Sequence, residues 1–527
     1  MPRKRFAILF PLIILLCSLA GGIYGPRVAA AADDTEITVG KDVDEFTRIY
    51  ALVEQNAATK VDADKAIYDG AIPGMLRTLD PHSNFFDPKE YQAILEEQKG
   101  TYFGVGMSVS PRNGKTVIIA PFPGSPAYKA GLRPGDVIVS VNDKSTDGLT
   151  TTEVADMLKG PRGTPVRIAV SREGAKENVV FTVVRDEIDR KSVPDAIWVK
   201  PGIAYIKILQ FGDNTAQELN DNLKRLGENN IQGLILDLRD NPGGLLKAGV
   251  SVADHFLQRG QLIVSHHGRS SPEQSYVARN GNHGHNYPIV VLVNKNSASA
   301  AEIVTGALQD HDRAWVLGET TFGKGLVQTV FPMSDHTALA LTTAHFYTPS
   351  GRLIQRDYSK ESFYDYYFHH DGTARNDMDV KMTDSGRRVY GGGGITPDEK
   401  YATPKMDRLE AQLYRSGLFN FTRVYFSKHP GSLPQGWMPD EAVINDLHDW
   451  LLANHYNFTE KEFTGDHDWI RRYLAKEMYI YAFNVDESDR MFARTDPEVA
   501  RAVESMPQAE ALVQTAHKMA LQRTQPR

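Results

Sequence analysis

"VLVNKNSASAAEIVTGALQD", Val291 to Asp310, passes from an apolar run through a polar turn into a helical pattern. The run begins at Ile289 and is short, so it reads as a buried strand. A helix follows from about Ala298, across a polar turn that ends in small residues. A strand feeding directly into a helix points to an α/β core. Two serines sit at the junction. Ser299-Ala300-Ala301-Glu302 fits a capping box, and Ser297 fits an N-cap. The same junction exposes a side chain at a strand end, beside a helix N-terminus whose unpaired N–H groups favour negative charge. An attacking hydroxyl needs such a place. This stretch by itself leaves both readings open.

Two other stretches bear on the choice. "LRDNPGGLL" puts Gly243 and Gly244 after another buried strand, where no side chain blocks approach to their backbone. A serine also needs a base, because its hydroxyl is not nucleophilic near neutrality. "GETTFGKGLVQ" offers Lys324 between two glycines and close to Phe322 and Leu326. An apolar pocket disfavours the ammonium form and lowers a lysine's pKa. Ser–Lys pairs are a known variant of the catalytic triad. The bland alternative is a surface lysine in a glycine turn.

Around these stretches the chain changes texture. Its 527 residues suggest about three or four domains. Residues 43–98 read as helical, with Phe46, Ile49, Tyr50 and Val53 at helical spacing. Residues 99–188 carry short β runs, "VIIAPF", "DVIVSVN", "VRIAVSR" and "NVVFTVVRD", around one helical piece, "TTTEVADMLKG". Residues 193–402 alternate strands and helices, which predicts a layered α/β core. Residues 403–527 are helical and rich in aromatics, a cap or an oligomer contact. The expected fold class is thus multidomain α/β: helical region, β-rich module, α/β core, helical region.

Within the β-rich module, "YFGVGMSV" and "SPAYKAGLRPGDVIVSVN" occur in the order found in PDZ domains, which this segment resembles. The resemblance implies that the loop Phe103, Gly104, Val105 and Gly106 binds a peptide's terminal carboxylate. The peptide would add as a strand to a sheet edge. The glycines suit an anion-binding nest.

"SASAAEI", "ALQDHDRAWVLGETTFGKGLVQT", "LDLRDNPGGLL", "YTPSGRLIQ" and "YGGGGITPD" together resemble the carboxyl-terminal processing, or tail-specific, proteases. The similarity runs from about Val43 to Asp398, with the PDZ-like segment in the position it has in that family. It implies a nucleophile at Ser299 rather than Ser297, a base at Lys324, and Gln328 orienting that lysine. It implies an oxyanion hole from Gly243 and Gly244 with the amide of Ala300. Ala301 departs from the family, which often has serine there. The implied enzyme is a serine endopeptidase that captures apolar C-terminal tails of envelope proteins and works through an acyl-enzyme. No metal or cofactor is implied. An activating adaptor and self-association through the helical regions are compatible partners. The alternative of another class is a PDZ-based peptide-binding adaptor with an inert protease-like domain.

The remaining signals bound the reading. Pro2-Arg3-Lys4-Arg5, the apolar run Phe6 to Gly22 and Ala29-Ala30-Ala31 form a secretory signal over residues 1–31, or an uncleaved anchor. Either places the bulk of the chain outside the cytoplasm. The one cysteine, Cys17, lies in that run, which excludes cysteine catalysis and thiolate metal sites in the remainder. A net charge of −7 without a clustered basic face argues against nucleic acid. His311 with Asp310, or His345, is the alternative base, although the "QDHD" carboxylates read as solvated or capping. "HHG", "NHGHN" and "FHH" lack a consistent ligand spacing for a metal.

Overall fold

A computed structural model describes residues 40–524, apart from residues 113, 360–361, 369–375, 430 and 432. The basic and apolar leader, with Cys17, lies outside the described residues. The described residues divide into two compact units, one up to Leu79 and one from Asp80. In the first, residues 40–56 are helical and a π-helical turn, Lys65–Ala71, runs into the helix Ile72–Arg77.

The second unit begins with a departure from the helical expectation. Asn84–Phe86 is a strand, paired antiparallel with Ala338–Ala340. Its partner lies far along the chain, so no local period announces it. The helix Pro88–Lys99 then starts at Asp87, whose side chain accepts from Glu90 N, and ends at Gly100.

The β-rich module is a six-stranded sheet. Met107–Arg112 lies at one end of the strand order, next to Lys115–Pro121, and Val179–Val184 lies at the other. Pro165–Ser171 alternates buried and less buried residues, the signature of a strand with one face on a core. Ile118, Ile138, Val154 and Ile168 fill that core. The helix Thr151–Leu158 is fixed at its start by a capping box from Thr150 and Glu153. A second, short helix, Pro126–Ala130, ends at Gly131. Thr101–Gly104 pairs with Asp186–Asp189 and ties the two ends of the module together.

The α/β core is built on another six-stranded sheet, ordered Ala196–Lys200, Ile203–Lys207, Gly233–Asp237, Ile289–Val293, Trp315–Gly318 and Glu399–Lys400. The first pair is antiparallel and the remaining pairs are parallel. Gly233–Asp237 and Ile289–Val293 are buried throughout. Continuous apolar runs of this kind belong to strands covered on both faces. Leu219, Val252 and Val304, from helices Thr215–Leu226, Leu246–Phe256 and Ala300–Asp310, pack on one face. Val499, Ala502, Met506 and Ala509 pack on the other with Ile235, Val290 and Leu292. The end of the C-terminal helical region is therefore a layer of the core.

A five-stranded sheet flanks this core. Its long strand, Ala338–Tyr347, pairs with Leu326–Pro332, with Asn84–Phe86 and, at its far end, with Leu262–Gly268. The hairpin Leu262–Gly268 with Ser271–Val277 is absent from the sequence expectation. The rest of the C-terminal region forms its own cluster around Leu447, Ile470 and Leu474. It also touches the β-rich module: Arg423 Nη2 lies 2.8 Å from Glu173 Oε2. No described helix is long and apolar enough to cross a membrane.

Candidate active site

The two serines of the junction differ in their surroundings. Ser297 is fully buried. Its Oγ donates to Leu238 O at 2.8 Å and accepts from Asn294 N at 2.9 Å. It thereby joins the ends of two neighbouring strands. Ser299 is partly exposed and holds φ 53° and ψ −114°, a conformation that costs a non-glycine residue energy. A strained residue on a strand-to-helix turn is how a nucleophilic side chain is presented clear of its own backbone.

Backbone contacts hold Ser299 there. Its N–H donates to Glu302 Oε2 at 2.8 Å, and its carbonyl accepts from Glu302 N and Ile303 N. Glu302 does more than close a helix start. Its Oε2 also accepts Lys324 N at 2.9 Å, while Oε1 accepts Gly323 N at 2.7 Å and Thr321 Oγ1 at 2.5 Å. Burial pushes this carboxyl up, and the hydrogen bonds from Thr321, Lys324, Gly323 and Ser299 pull it back. One buried carboxylate thus fixes both the serine turn and the lysine turn. In sequence it reads only as a capping residue.

Lys324 is held on a short chain of hydrogen bonds. Its Nζ donates to Gln328 Oε1 at 2.8 Å, and Gln328 Nε2 donates to the carbonyl of His82 at 2.5 Å. Burial lowers the lysine below its usual range, against the opposing pull of Glu302 and Asp80. An amine of this kind is closer to the neutral form that a base requires.

The glycine loop lies against the serine. Gly243 and Gly244 hold φ of 97° and 137°. A Cβ on Gly243 would stand 2.7 Å from Ser299 Cβ, and one on Gly244 would stand 2.2 Å from Phe211 O. No other residue permits this approach. Gly243 N already donates to Asn241 Oδ1 at 2.8 Å. Among the described residues, the amides of Gly244 and Ala300 have no hydrogen-bond acceptor. Ala300 is the first residue of its helix, so its N–H carries the partial positive charge of a helix start.

The histidine alternative built on His311 and Asp310 is not assembled. His311 caps the far end of the helix that Ser299 begins, about 18 Å along it at 1.5 Å per residue. Its ring binds Asp384 Oδ2 at 2.8 Å and Leu262 O at 2.7 Å. The "QDHD" carboxylates are not solvated, which corrects the sequence expectation. Asp310 is buried against Arg352 at 2.6 Å, and Asp312 is buried against Arg387 at 2.7 Å. Both arginines come from the segment after the long strand, so the pairing is invisible locally. His266 and His267 are neighbours on one strand, whose successive side chains take opposite faces. His369 and His370 of "FHH" lie outside the described residues. Among the described residues, no group of three or more His, Cys, Asp and Glu could hold a metal ion.

In the β-rich module, Phe103 is exposed, while Gly104 and Val105 are buried. Gly106 has φ 76°, and a Cβ there would stand 2.5 Å from Ser125 Cβ. Its carbonyl accepts Ser125 Oγ at 2.7 Å and Phe122 N at 3.0 Å, and Val105 O accepts Ala127 N at 2.8 Å. The loop leads directly into Met107–Arg112, the strand at the end of the sheet.

A parallel α/β core with a serine strand-to-helix turn, joined to a PDZ-type module, is the build of a PDZ-bearing serine-type peptidase. Comparison with known proteins agrees. Residues 202–360 match peptidase family S41, and residues 117–172 match the PDZ domain. The chain is 38% identical over 319 residues to the carboxy-terminal-processing protease of Bartonella bacilliformis, covering 60% of this chain and 73% of that protein. It is 33% identical over 336 residues to the carboxy-terminal processing protease CtpB of Bacillus subtilis, covering 63% and 70%. Against the carboxyl-terminal-processing protease of Synechocystis sp. it is 38% identical over 292 residues, covering 54% and 68%. The chain belongs to the carboxy-terminal processing proteases of peptidase family S41.

Proposed function

We propose that this peptidase cleaves proteins bearing apolar C-terminal tails, using Ser299 as nucleophile and Lys324 as base. The neutral Lys324 amine takes the Ser299 Oγ proton as Oγ attacks the peptide carbonyl. The amides of Gly244 and Ala300 receive the oxyanion, with Gly243 leaving room for it. The lysine then returns its proton to the leaving amine, and an ester to Ser299 remains. Water attacks the ester with the same lysine as base, and Ser299 is regenerated. Gln328 keeps the lysine in place. The observation that carries this reading is the shared grip of Glu302 on the Ser299 and Lys324 turns, with the lysine amine depressed by burial.

The PDZ module, residues 99–188, would hold the substrate's carboxylate at Phe103–Gly106 and its last residues along Met107–Arg112. Residues 193–402 would form the peptidase core, with helical regions at 43–98 and 403–527. The basic and apolar leader supports an extracytoplasmic location, and envelope proteins are the substrates that location offers. A bound tail would align the site, so PDZ occupancy gates turnover.

Cleavage of an unstructured protein with an apolar tail, by wild type, Ser299→Ala and Lys324→Ala with chelator present, tests the reading. Turnover by wild type alone is the expected result. Turnover that survives Ser299→Ala would overturn it. Tail binding without turnover by any form would favour a peptide-binding adaptor.

A further inference from the structure

The proposed chemistry makes no use of His82, yet its carbonyl decides how Gln328 is turned. A carboxamide has one accepting end and one donating end. A backbone carbonyl can only accept, so His82 O takes the NH2 end of Gln328 at 2.5 Å. That leaves Oε1 for Lys324 Nζ at 2.8 Å. Turned the other way, the amide would donate into the lone pair that the base needs.

The carbonyl is itself held from several sides. His82 N and Ser83 N both donate to Asp80 Oδ1 at 2.8 Å, and Ser83 Oγ donates to Asp80 Oδ2 at 2.7 Å. The His82 ring spans two hydroxyls: Nε2 lies 2.9 Å from Tyr366 Oη and Nδ1 lies 3.0 Å from Tyr367 Oη. Burial, then Lys324, pushes the imidazole down to about 3, while Asp80 opposes and Arg356 assists. A neutral imidazole has one donor and one acceptor, which suits two hydroxyl partners. Tyr366 is 1% exposed and its Oη also receives Gln355 Nε2 at 3.3 Å. Gln355 Oε1 accepts Gly325 N at 2.8 Å, which brings the network back to the lysine turn.

We propose that His82 is a positioning residue of this peptidase: its carbonyl fixes the Gln328 amide with Oε1 toward Lys324, and its ring, clamped by Tyr366 and Tyr367, fixes the carbonyl. This rests on Lys324 being the base. Three segments distant in sequence meet at His82, with Gln328 on its carbonyl and Tyr366 and Tyr367 on its ring, which no family of local spacings would reveal.

The test is a double-mutant cycle on the full chain, with kcat and KM measured on a tailed, unstructured protein. His82→Ala is expected to lower kcat by about 10- to 100-fold, the size of a small misplacement of a catalytic group, with KM unchanged. In a Gln328→Ala background the same change is expected to have no further effect. Tyr366→Phe with Tyr367→Phe removes only the two hydroxyls and should repeat the pattern, which also covers a His82→Ala chain that fails to fold. Losses that multiply across the cycle, a rise in KM alone, or an unchanged kcat in the tyrosine variant would each overturn the proposal. Lys324→Ala run in parallel separates the two claims. If it retains turnover, the base assignment fails and this inference with it. If it is inactive while the cycle is multiplicative, only the role of His82 is lost.

Discussion

Ser299 and Lys324 hang from one atom: their backbone N–H groups donate to Glu302 Oε2 at 2.8 and 2.9 Å. The two turns come from different parts of the chain and are brought into register by a carboxylate that is itself wholly buried.

Glu302→Gln keeps the shape of that side chain and removes one acceptor. An NH2 group would then face backbone N–H donors. Buried donors left without an acceptor cost about 1–3 kcal/mol. We expect a lower melting temperature and a kcat reduced about 100-fold through misplacement of the serine and lysine turns. Melting curves and steady-state kinetics check this; a variant with wild-type kcat would show that Glu302 serves stability alone.

Lys324→Met should stabilise the fold while abolishing turnover. Burial depresses the lysine in the folded chain, so between its folded value and the unfolded 10.5 the unfolded chain binds more protons. The penalty is therefore full below the folded value and fades as pH rises toward 10.5. Thermal melting at pH 7 should favour the methionine variant, and the gap should close at higher pH. The same sign governs wild-type kcat, which should rise with pH as the amine loses its proton. A gap that widens with pH would contradict a buried, depressed lysine.

Gly244→Ala would force a Cβ to within 2.2 Å of Phe211 O at φ 137°. The loop must move, and with it the amide assigned to the oxyanion. Removing one such donor costs about 100- to 1000-fold in kcat. The expected kinetic signature is a fall in kcat with tail affinity preserved, because the PDZ loop is untouched. Equal losses in tail binding would point to general unfolding.

Gly106→Ala tests the loop of the β-rich module. The new Cβ would meet Ser125 Cβ at 2.5 Å and Ile188 Cδ1 at 2.9 Å. Distortion of the carboxylate loop should weaken binding of a fluorescent C-terminal peptide by about tenfold or more, a free-energy loss of about 1.4 kcal/mol. A peptide whose carboxylate is amidated should bind both forms weakly. If the free-acid peptide binds the variant as well as wild type, the loop is not where the tail is held.

Several features were legible in the sequence because they are local. The apolar run before Asn294, the small residues after it, the capping pattern at Glu302 and the glycines around Lys324 each sit within one turn or strand. The helices Thr215–Leu226 and Thr151–Leu158 likewise follow from period and caps. Other features had no local sign. Asn84–Phe86 reads as part of a helical region, but its hydrogen bonds go to Ala338–Ala340. The carboxylates at 310 and 312 read as solvated or capping, but they are buried against Arg352 and Arg387.

The sequence by itself determined many of the elements and the residue types available for chemistry, since these rest on periodicity and turn residues, and the order of its motifs carried the resemblance to PDZ domains and tail-specific proteases. Only the tertiary structure decided which of those residues meet. Glu302 became the joint between two turns, Gln328 acquired an orientation from His82, and Gly243 was found already bonded to Asn241. Hydrogen bonds are short and directional, and these join segments up to 246 residues apart. No spacing along the chain encodes such contacts; they exist once the sheets have packed.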